Sequence, residues 1–522
     1  MDEKHNFFEK LNVGNNIATI IDDVRVGIQM DDNLAENHYG QILLVVATNL
    51  LARIYTNIAL SLPEKTVVMQ YSGETVQLDS YIRSIAIDSR EGGEDKIMLS
   101  NDLTGCAAVI SIGNIDVPVY SAAMVYIAAN GWLAGISPTP LEMGDIGDKN
   151  PCGAVAAACL GVAEIVKLTF DGKLSKPVRM LDGPLVFSTL DYRNNTPNPL
   201  NPSIDSLNIE STVLFGSGSV GSSLLYTMSF LHDVTGTLHI VDTDMEVESR
   251  NLLRYGYLTV SDIAKFKGKD KVTWAQEKLA KDCPTLVVKP FLSSVKDYTN
   301  QFGPYNPTKL AISTVDSVPA RRDITDFLAR RTINAGTGDV RFTISRHGFH
   351  DGQACLYCLY LDLANPPANK YTQYAEMTKL QVFRIYELLE DNGVLTENDF
   401  ELMLRNNIVL PGMKEKIIGK PLLSFIHERF YGEMQIKQAN GASERMITLA
   451  YITVMTGCLL FAEMIKELSG LSSAWVGTLY EQDMLMLPNE MTQHRDPNEN
   501  GLCLCQNTFR RMVYQEKYSK LQ

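Results

Sequence analysis

The run STVLFGSGSVGSSLLYTMSFL, followed by TLHIVDTD, constrains the fold of this 522-residue chain more than any other stretch. A short apolar segment with β-branched residues reads as a strand, GSGSVG as a glycine turn, the apolar-periodic residues as a helix, and TLHIVDTD as a second strand. That order is a βαβ unit and predicts an α/β fold of Rossmann type. Gly216, Gly218 and Gly221 permit a tight turn and let backbone N–H groups come close to a phosphate. Asp242 ends the second strand about twenty residues on, where a carboxylate can accept from ribose hydroxyls. Alone, this pattern suits a nicotinamide dehydrogenase as well as any other nucleotide site.

LAISTVD, near residue 313, reads as a further buried strand, and RFTISRHGF as an antiparallel one. The N-terminal part is also α/β. ILLVVATNLLARI and AAMVYIAANGWLAGI read as helices, TVVMQYSG and CAAVISIG as strands. CGAVAAACLGVAEIVKLTF reads as a long small-residue helix. It parallels ITVMTGCLLFAEMIKEL near the C-terminus, with Cys mid-run, then Ala-Glu, an apolar pair and Lys. The parallel points to an internal structural repeat; two unrelated buried helices are the plainer alternative.

RNNTPNPLNPSIDSLN is rich in Pro, Asn and Ser and reads as an exposed linker. MTKLQVFRIYELLEDNG and ENDFELMLRNN read as successive helices, a helical insertion. The expected division is a first α/β domain over residues 1–193, a linker over 194–208, a nucleotide-binding domain over 209–365, the insertion over 366–433, and the rest of the second domain over 434–522.

The net charge is -14 with a pI near 5.2, so the chain would repel a phosphate backbone, and nucleic acid is not an expected partner. A local loop can still hold a nucleotide against that charge. The two most apolar stretches, QILLVVATNLLARIYTNIALSL and LAYITVMTGCLLFAEMIKEL, are interrupted by Arg53 and by Glu463 and Lys466. Each falls short of ~18 uncharged apolar residues and reads as buried helix, so no membrane is expected. The N-terminus lacks a signal pattern, and the expected location is cytoplasmic.

The residues after TLHIVDTD separate the nucleotide chemistries. MEVESRNLLRYG, FKGKDKV and STVDSVPARRD follow in turn. The order GxGxxG, D-x-D, N-L-x-R, G-x-x-K, D-x-x-x-x-R resembles the ThiF/MoeB/ubiquitin-activating superfamily, closely over Ser211 to Asp362 and loosely beyond. The resemblance implies two Rossmann-like adenylation-type domains and the reaction of a carboxylate with ATP to give an acyl-adenylate and pyrophosphate. By resemblance Arg254 and Lys271 bind phosphate, and Asn251 holds a phosphate or the reacting carboxylate. Asp242 holds the ribose, Asp316 holds Mg²⁺, and Asp244 is a second acid nearby. Cations are needed because both ATP and its attacker are anionic. Relatives often send an arginine across from the partner domain; Arg25 is the candidate here.

QACLYCLYLD places Cys355 and Cys358 where both thiolates can face one metal, and Cys503 and Cys505 form a second pair in GLCLCQNTF. Four thiolates suit a closed structural Zn²⁺ site; four reduced buried cysteines are the alternative. The family commonly carries C-x-x-C twice, and this chain has C-x-C in the second pair.

Ubiquitin-activating relatives pass the acyl group to a cysteine. None of Cys106, Cys152, Cys159, Cys283 and Cys458 sits where they carry it, and KQANGASERM places Ala439 or Ala442 there. The N-terminal half has no G-x-G-x-x-G, and the resemblance makes it an inactive built-in partner, so that one chain is a pseudo-dimer without need of a homodimer. Bacterial activating enzymes of ubiquitin-like conjugation systems, some linked to antiphage defence, have this layout. The expected partner is a small ubiquitin-like protein presenting its C-terminal tail, with a conjugating enzyme downstream. The alternatives are an adenylyltransferase for sulfur transfer or peptide modification, and a non-catalytic nucleotide-binding module.

Overall fold

The computed structural model describes residues 21–115, 122–174, 177–303, 306–338, 340–349, 351–360, 371, 374–375, 378–390, 393–406, 408–409, 413–430, 448–471, 477–498 and 503–519. The chain divides into two compact units, Met1–Tyr360 with Thr448–Gln522, and Leu361–Ile447.

The larger unit holds two extended sheets. The first is built from β1 (Arg25–Met30), β2 (Asn57–Ser61), β5 (Ile97–Leu99), β6 (Ala108–Ile112), β7 (Ala123–Asn130), β8 (Leu133–Ser137) and β9 (Leu185–Ser188). A small ribbon, β3 (Thr66–Val68) with β4 (Thr75–Gln77), lies between β2 and β5 in sequence. The second sheet holds β10 (Leu207–Phe215), β11 (Val234–Asp242), β12 (Leu286–Leu292), β13 (Leu310–Ser313), β14 (Arg331–Gly338), β15 (Arg341–Gly348), β16 (Leu479–Asp483) and β17 (Thr492–Gln493). The helices that matter most are α1 (His38–Ile54), α2 (Leu78–Asp88), α3 (Cys152–Thr169), α4 (Ser219–Met228), α5 (Lys271–Asp282), α6 (Ala450–Leu468) and α7 (Thr508–Ser519).

The two sheets share one plan. Their orders are β5-β2-β1-β6-β7-β8-β9 and β12-β11-β10-β13-β14-β15-β16-β17. In each, the first five strands are parallel and the following strands antiparallel. The internal repeat is therefore real, and the fold is α/β with two Rossmann-like halves. The central strands β6 and β13 are buried along their whole length, as parallel strands covered on both faces must be. Pro290, which cannot donate to a ladder, sits on the edge strand β12.

α3 and α6 are the repeated long helices. Both are buried almost throughout, and the Cys458 thiol of α6 donates to the Cys152 carbonyl of α3 at 3.2 Å. Each buries one Glu–Lys pair, Glu164 with Lys167 and Glu463 with Lys466. Gly457 lets α6 approach α4, since a Cβ there would lie 2.5 Å from Leu224 N.

One element differs from expectation. AAMVYIAANGWLAGI is a hairpin of β7 and β8, not a helix. Its alanines favour helix, but Asn130-Gly131 breaks the run: Gly131 takes φ +58° in a two-residue turn, and the flanking residues pair across it. Likewise the apolar stretch beginning at Gln41 is not one helix. It ends as α1 at Ile54, and Asn57–Ser61 joins the sheet.

In the smaller unit, the helices Val382–Glu390, Glu397–Arg405 and Leu422–Phe430 surround Leu388, Leu395, Phe400, Met403 and Phe425. Arg384 and Asp399 join the first two helices by paired hydrogen bonds of 3.0 and 2.8 Å.

Candidate functional site

The turn between β10 and α4 is built as its three glycines require. Gly216 holds φ +97°, a left-handed conformation that favours glycine. At Gly221 a Cβ would come within 2.0 Å of the Gly216 carbonyl oxygen, so the helix closes on the turn only without one. At Gly218 a Cβ would first meet Tyr255 Oη, at 3.6 Å, which leaves the loop open above its centre. Thr314, just past β13, ties the turn down by donating to the Gly216 carbonyl at 2.6 Å.

Asp242 stands at the C-terminal end of β11. Its Oδ2 accepts from Ser217 twice, from N–H at 2.6 Å and Oγ–H at 2.9 Å, and its Oδ1 accepts from Asp244 N–H at 3.0 Å. Asp244 pairs with Lys271 at the start of α5. The Lys271 ammonium then donates to Tyr255 Oη at 3.0 Å, and Tyr255 is the side chain nearest Gly218. Ser217, Asp242, Asp244, Lys271, Tyr255 and Gly218 thus close a ring around the loop. Burial pulls the Lys271 pKa down, but Tyr255 and Asp244 outweigh it and the net direction is upward, so the cation is held.

Asn251 ends a short turn in which its Oδ1 accepts from Glu248 N–H at 3.1 Å, leaving its Nδ2 donors for an anion. Arg254 follows one turn on. Its Nε is buried and has no hydrogen-bond partner among the described residues, a donor that a phosphate oxygen would satisfy. Its carbonyl accepts from Thr453 of α6 at 2.6 Å. Asp316, two residues beyond Thr314, is exposed at the same edge, where β10, β11 and β13 end. Such a carboxylate, with Asp244, offers the hard oxygen ligands Mg²⁺ prefers. The orphaned Arg254 donor, the buried Lys271 cation and the open loop fit a nucleotide triphosphate.

Arg25 does not reach this site. It donates to the Thr104 and Asp102 carbonyls at 3.1 and 3.3 Å, within its own half. The arginine that crosses is Arg53 of α1, which donates to the Leu252, Gly256 and Leu258 carbonyls. Its one sequence signal is a basic residue inside an apolar helix, four residues after Asn49. Tyr255 was also missed; its place directly after the N-L-x-R motif is the only cue.

Where the second half has GSGSVG, the first has a short 3-10 turn, Asp32–Leu34, followed by Asn37, whose side chain accepts from Gly40 N–H at the start of α1. Lys65 pairs with Asp32 at 3.6 Å and with Glu36 at 3.4 Å beside this turn.

Cys355, Cys358, Cys503 and Cys505 meet, all buried, with sulfurs within 4.8 Å of one another. Three spacings are 3.6, 3.7 and 3.1 Å. A tetrahedral Zn–S₄ centre with bonds near 2.3 Å has sulfurs about 3.8 Å apart, so the donors fit a metal of that kind. Neighbouring thiols and burial push Cys355, Cys358 and Cys505 up to about 12, while Cys503 is held below the usual thiol value. All nine cysteines are buried and none forms a disulfide. Ala439 and Ala442 lie outside the described residues.

α3 is long and apolar enough to cross a membrane, but 94% of that stretch is buried inside the larger unit.

A family model for the BilD N-terminal domain matches residues 25–173, which span β1 to β8 and α1 to α3. The uncharacterized protein y4jF of Sinorhizobium fredii (strain NBRC 101917 / NGR234) is 24% identical over 498 residues, 94% of this chain and 91% of that protein. Among solved structures, E. coli MccB with succinimide is 14% identical with a TM-score of 0.31. It covers 56% of this chain, and 66% of that chain is covered in turn, just under two thirds. E. coli MccB with MccA-N7isoASN gives 14% identity and a TM-score of 0.32, with 57% and 67% covered.

Proposed function

We propose that this chain is an adenylating enzyme that uses ATP and Mg²⁺ to activate the C-terminal carboxylate of a small ubiquitin-like protein. The observation that carries the reading is the closed ring from Ser217 through Asp242, Asp244, Lys271 and Tyr255 to Gly218, with the buried, unpartnered Nε of Arg254, the residue next to Tyr255 in the chain. A dehydrogenase needs the glycine loop and the ribose carboxylate, but not a buried lysine and an arginine gathered at the phosphate end.

In this reading the loop N–H groups, Lys271 and Arg254 bind the triphosphate, and Asp242 accepts from the ribose. Asn251 orients the incoming carboxylate. Mg²⁺, held by Asp316 with Asp244, would neutralise phosphate charge. The carboxylate oxygen attacks the α-phosphorus, the bond to the β-phosphate oxygen breaks, and pyrophosphate leaves with both electrons. No general base is required, because the nucleophile is already ionised; positioning and electrostatics supply the catalysis.

The first half serves as a non-catalytic partner: between β1 and α1 it has the Asp32–Leu34 turn, with Asp32 and Glu36 paired to Lys65, in place of a glycine loop. Zinc is the metal proposed for the four cysteines, tying α7 to the second sheet. Because every cysteine is buried, the acceptor thiol or sulfur belongs to another molecule, a conjugating enzyme in a bacterial ubiquitin-like pathway. Nine cysteines without a disulfide suit a reducing cytoplasm, and antiviral defence is a setting this reading fits. Sulfur transfer is the second reading, favoured by the same absence of an accessible thiol.

The test is mass spectrometry of a small β-grasp protein ending in glycine after incubation with the enzyme, ATP and Mg²⁺. Addition of AMP to its C-terminus supports the reading; an unmodified carboxylate across a panel of such proteins contradicts it.

A further inference from the structure

Two side chains of the first half reach into the second and grip the segment that carries its phosphate-binding residues. Asn49 and Arg53 lie one turn apart on α1 and are buried. Arg53 donates to the Leu252 carbonyl, to Gly256 O at 3.2 Å and to Leu258 O at 2.7 Å. Asn49 Nδ2 donates to Gly256 O at 2.8 Å and to Tyr226 Oη at 3.0 Å, and its Oδ1 accepts from Arg53 Nε at 2.7 Å and from Ser89 at 3.0 Å. These carbonyls bracket Arg254 and Tyr255. Thr453 takes the Arg254 carbonyl from the other side.

The segment is also held by the burial of Tyr257 and Leu258 and by Tyr257 Oη–H, which donates to Asp282 at 2.5 Å, but these anchors lie within the second half. It is a turn rather than a regular helix or strand. A cavity of ≈ 370 Å³ lies against it, lined by Arg53, Arg90, Ser249, Arg250, Leu252 and Leu253, so tight packing does not hold that side. Burial lowers the Arg53 pKa to about 10, still well above neutrality, and the charge is met by carbonyl oxygens rather than by a carboxylate. A buried charge of this kind is tolerated only while its hydrogen bonds are made. The segment's position and the Arg53 contacts therefore depend on one another.

We propose that Arg53, seconded by Asn49, is a positioning residue for the nucleotide site: it sets the 249–258 segment so that Arg254 and Tyr255 face the glycine loop. Arg53 does not touch the nucleotide. The first half thereby holds the binding geometry of the second through Arg53 and Asn49. The inference rests on the proposal that the glycine loop and Arg254 hold ATP.

The test uses the full chain and two measurements, Mg-ATP affinity by titration calorimetry and hydrogen–deuterium exchange over residues 249–258. Arg53→Lys keeps the charge but cannot span three carbonyls. It should weaken Mg-ATP binding by about tenfold, the equivalent of one lost hydrogen bond, and speed exchange in the segment. Asn49→Ala should change both in the same direction by less, and serves if the arginine variant folds poorly. Arg83→Lys is the control. Arg83 is also a partly buried arginine bound to carbonyls, those of Ile97 and Glu94, both in the first half, and it does not line that cavity. It should alter melting temperature but neither measurement. Unchanged affinity and exchange in both α1 variants would overturn the proposal, as would an equal effect in Arg83→Lys. If the wild type binds no ATP, the functional reading fails, and exchange over 249–258 alone then decides whether Arg53 positions the segment.

Discussion

Ser217 gives Asp242 both its backbone N–H and its hydroxyl, at 2.6 and 2.9 Å, on the same carboxylate oxygen. The strand end thus shapes the glycine loop before any ligand arrives. Asp242→Asn keeps the size but loses the charge and one acceptor oxygen. The loss of charge-assisted bonds of ~1.5–3 kcal/mol predicts Mg-ATP binding weaker by about ten- to a hundredfold, with the far-ultraviolet circular dichroism unchanged. Titration calorimetry reads it; an affinity within twofold of wild type would remove Asp242 from the site.

Lys271 is buried between Asp244 and Tyr255. Lys271→Met should lower adenylation by about 10²–10³-fold, the usual cost of a lost electrostatic stabiliser. Stability should change little, because the Asp244 left behind is half-exposed and keeps its water. Lys271→Arg should not restore the rate, since a planar fork does not fit a slot shaped for an ammonium. Single-turnover rates at saturating ATP separate these outcomes.

The purified protein should contain one zinc per chain by elemental analysis. Strong chelation at neutral pH should remove it and loosen Thr508–Ser519, visible as faster hydrogen exchange there and at Cys503–Gln506. Cys358→Ser should bind the metal more weakly than wild type, because a hydroxyl is a poor substitute for thiolate. A metal-free protein with the same exchange pattern would reduce the four cysteines to a buried thiol cluster.

Glu463 and Lys466 form an ion pair with no exposure, and Tyr192 also donates to Glu463, at 2.5 Å. Glu463→Leu strands the lysine and should cost about 3–5 kcal/mol in denaturant unfolding. Adding Lys466→Met should recover most of it, because the two charges are then removed together. The pair Glu164 and Lys167 should behave alike, since the second long helix repeats the first.

What the sequence disclosed was local, and what it concealed was long-range. GSGSVG, Asp242 and the two cysteine pairs announce themselves because turn chemistry and metal ligation need fixed spacings. The Glu-Lys repeat was legible because burial demanded the same pairing twice. AAMVYIAANGWLAGI misled because alanine's helix preference outweighs a short alternation until the turn at Gly131-Trp132, after Asn130, is given its due. Arg53 was visible only as an oddity in an apolar helix: its partners lie some two hundred positions away, at carbonyls whose exposure depends on how the halves pack. Arg25 was the more conspicuous arginine, but it serves its own loop.

The central claim is adenylation at the second half, and carboxylate-dependent exchange of labelled pyrophosphate into ATP measures it most directly. With Mg²⁺ and a small β-grasp protein ending in a free glycine carboxylate, wild type should exchange label. The same protein amidated at its C-terminus should support none, and Lys271→Ala and Asp316→Ala should abolish exchange while staying folded. No exchange across a panel of such proteins, or exchange that persists with the amide or in those variants, would contradict the account.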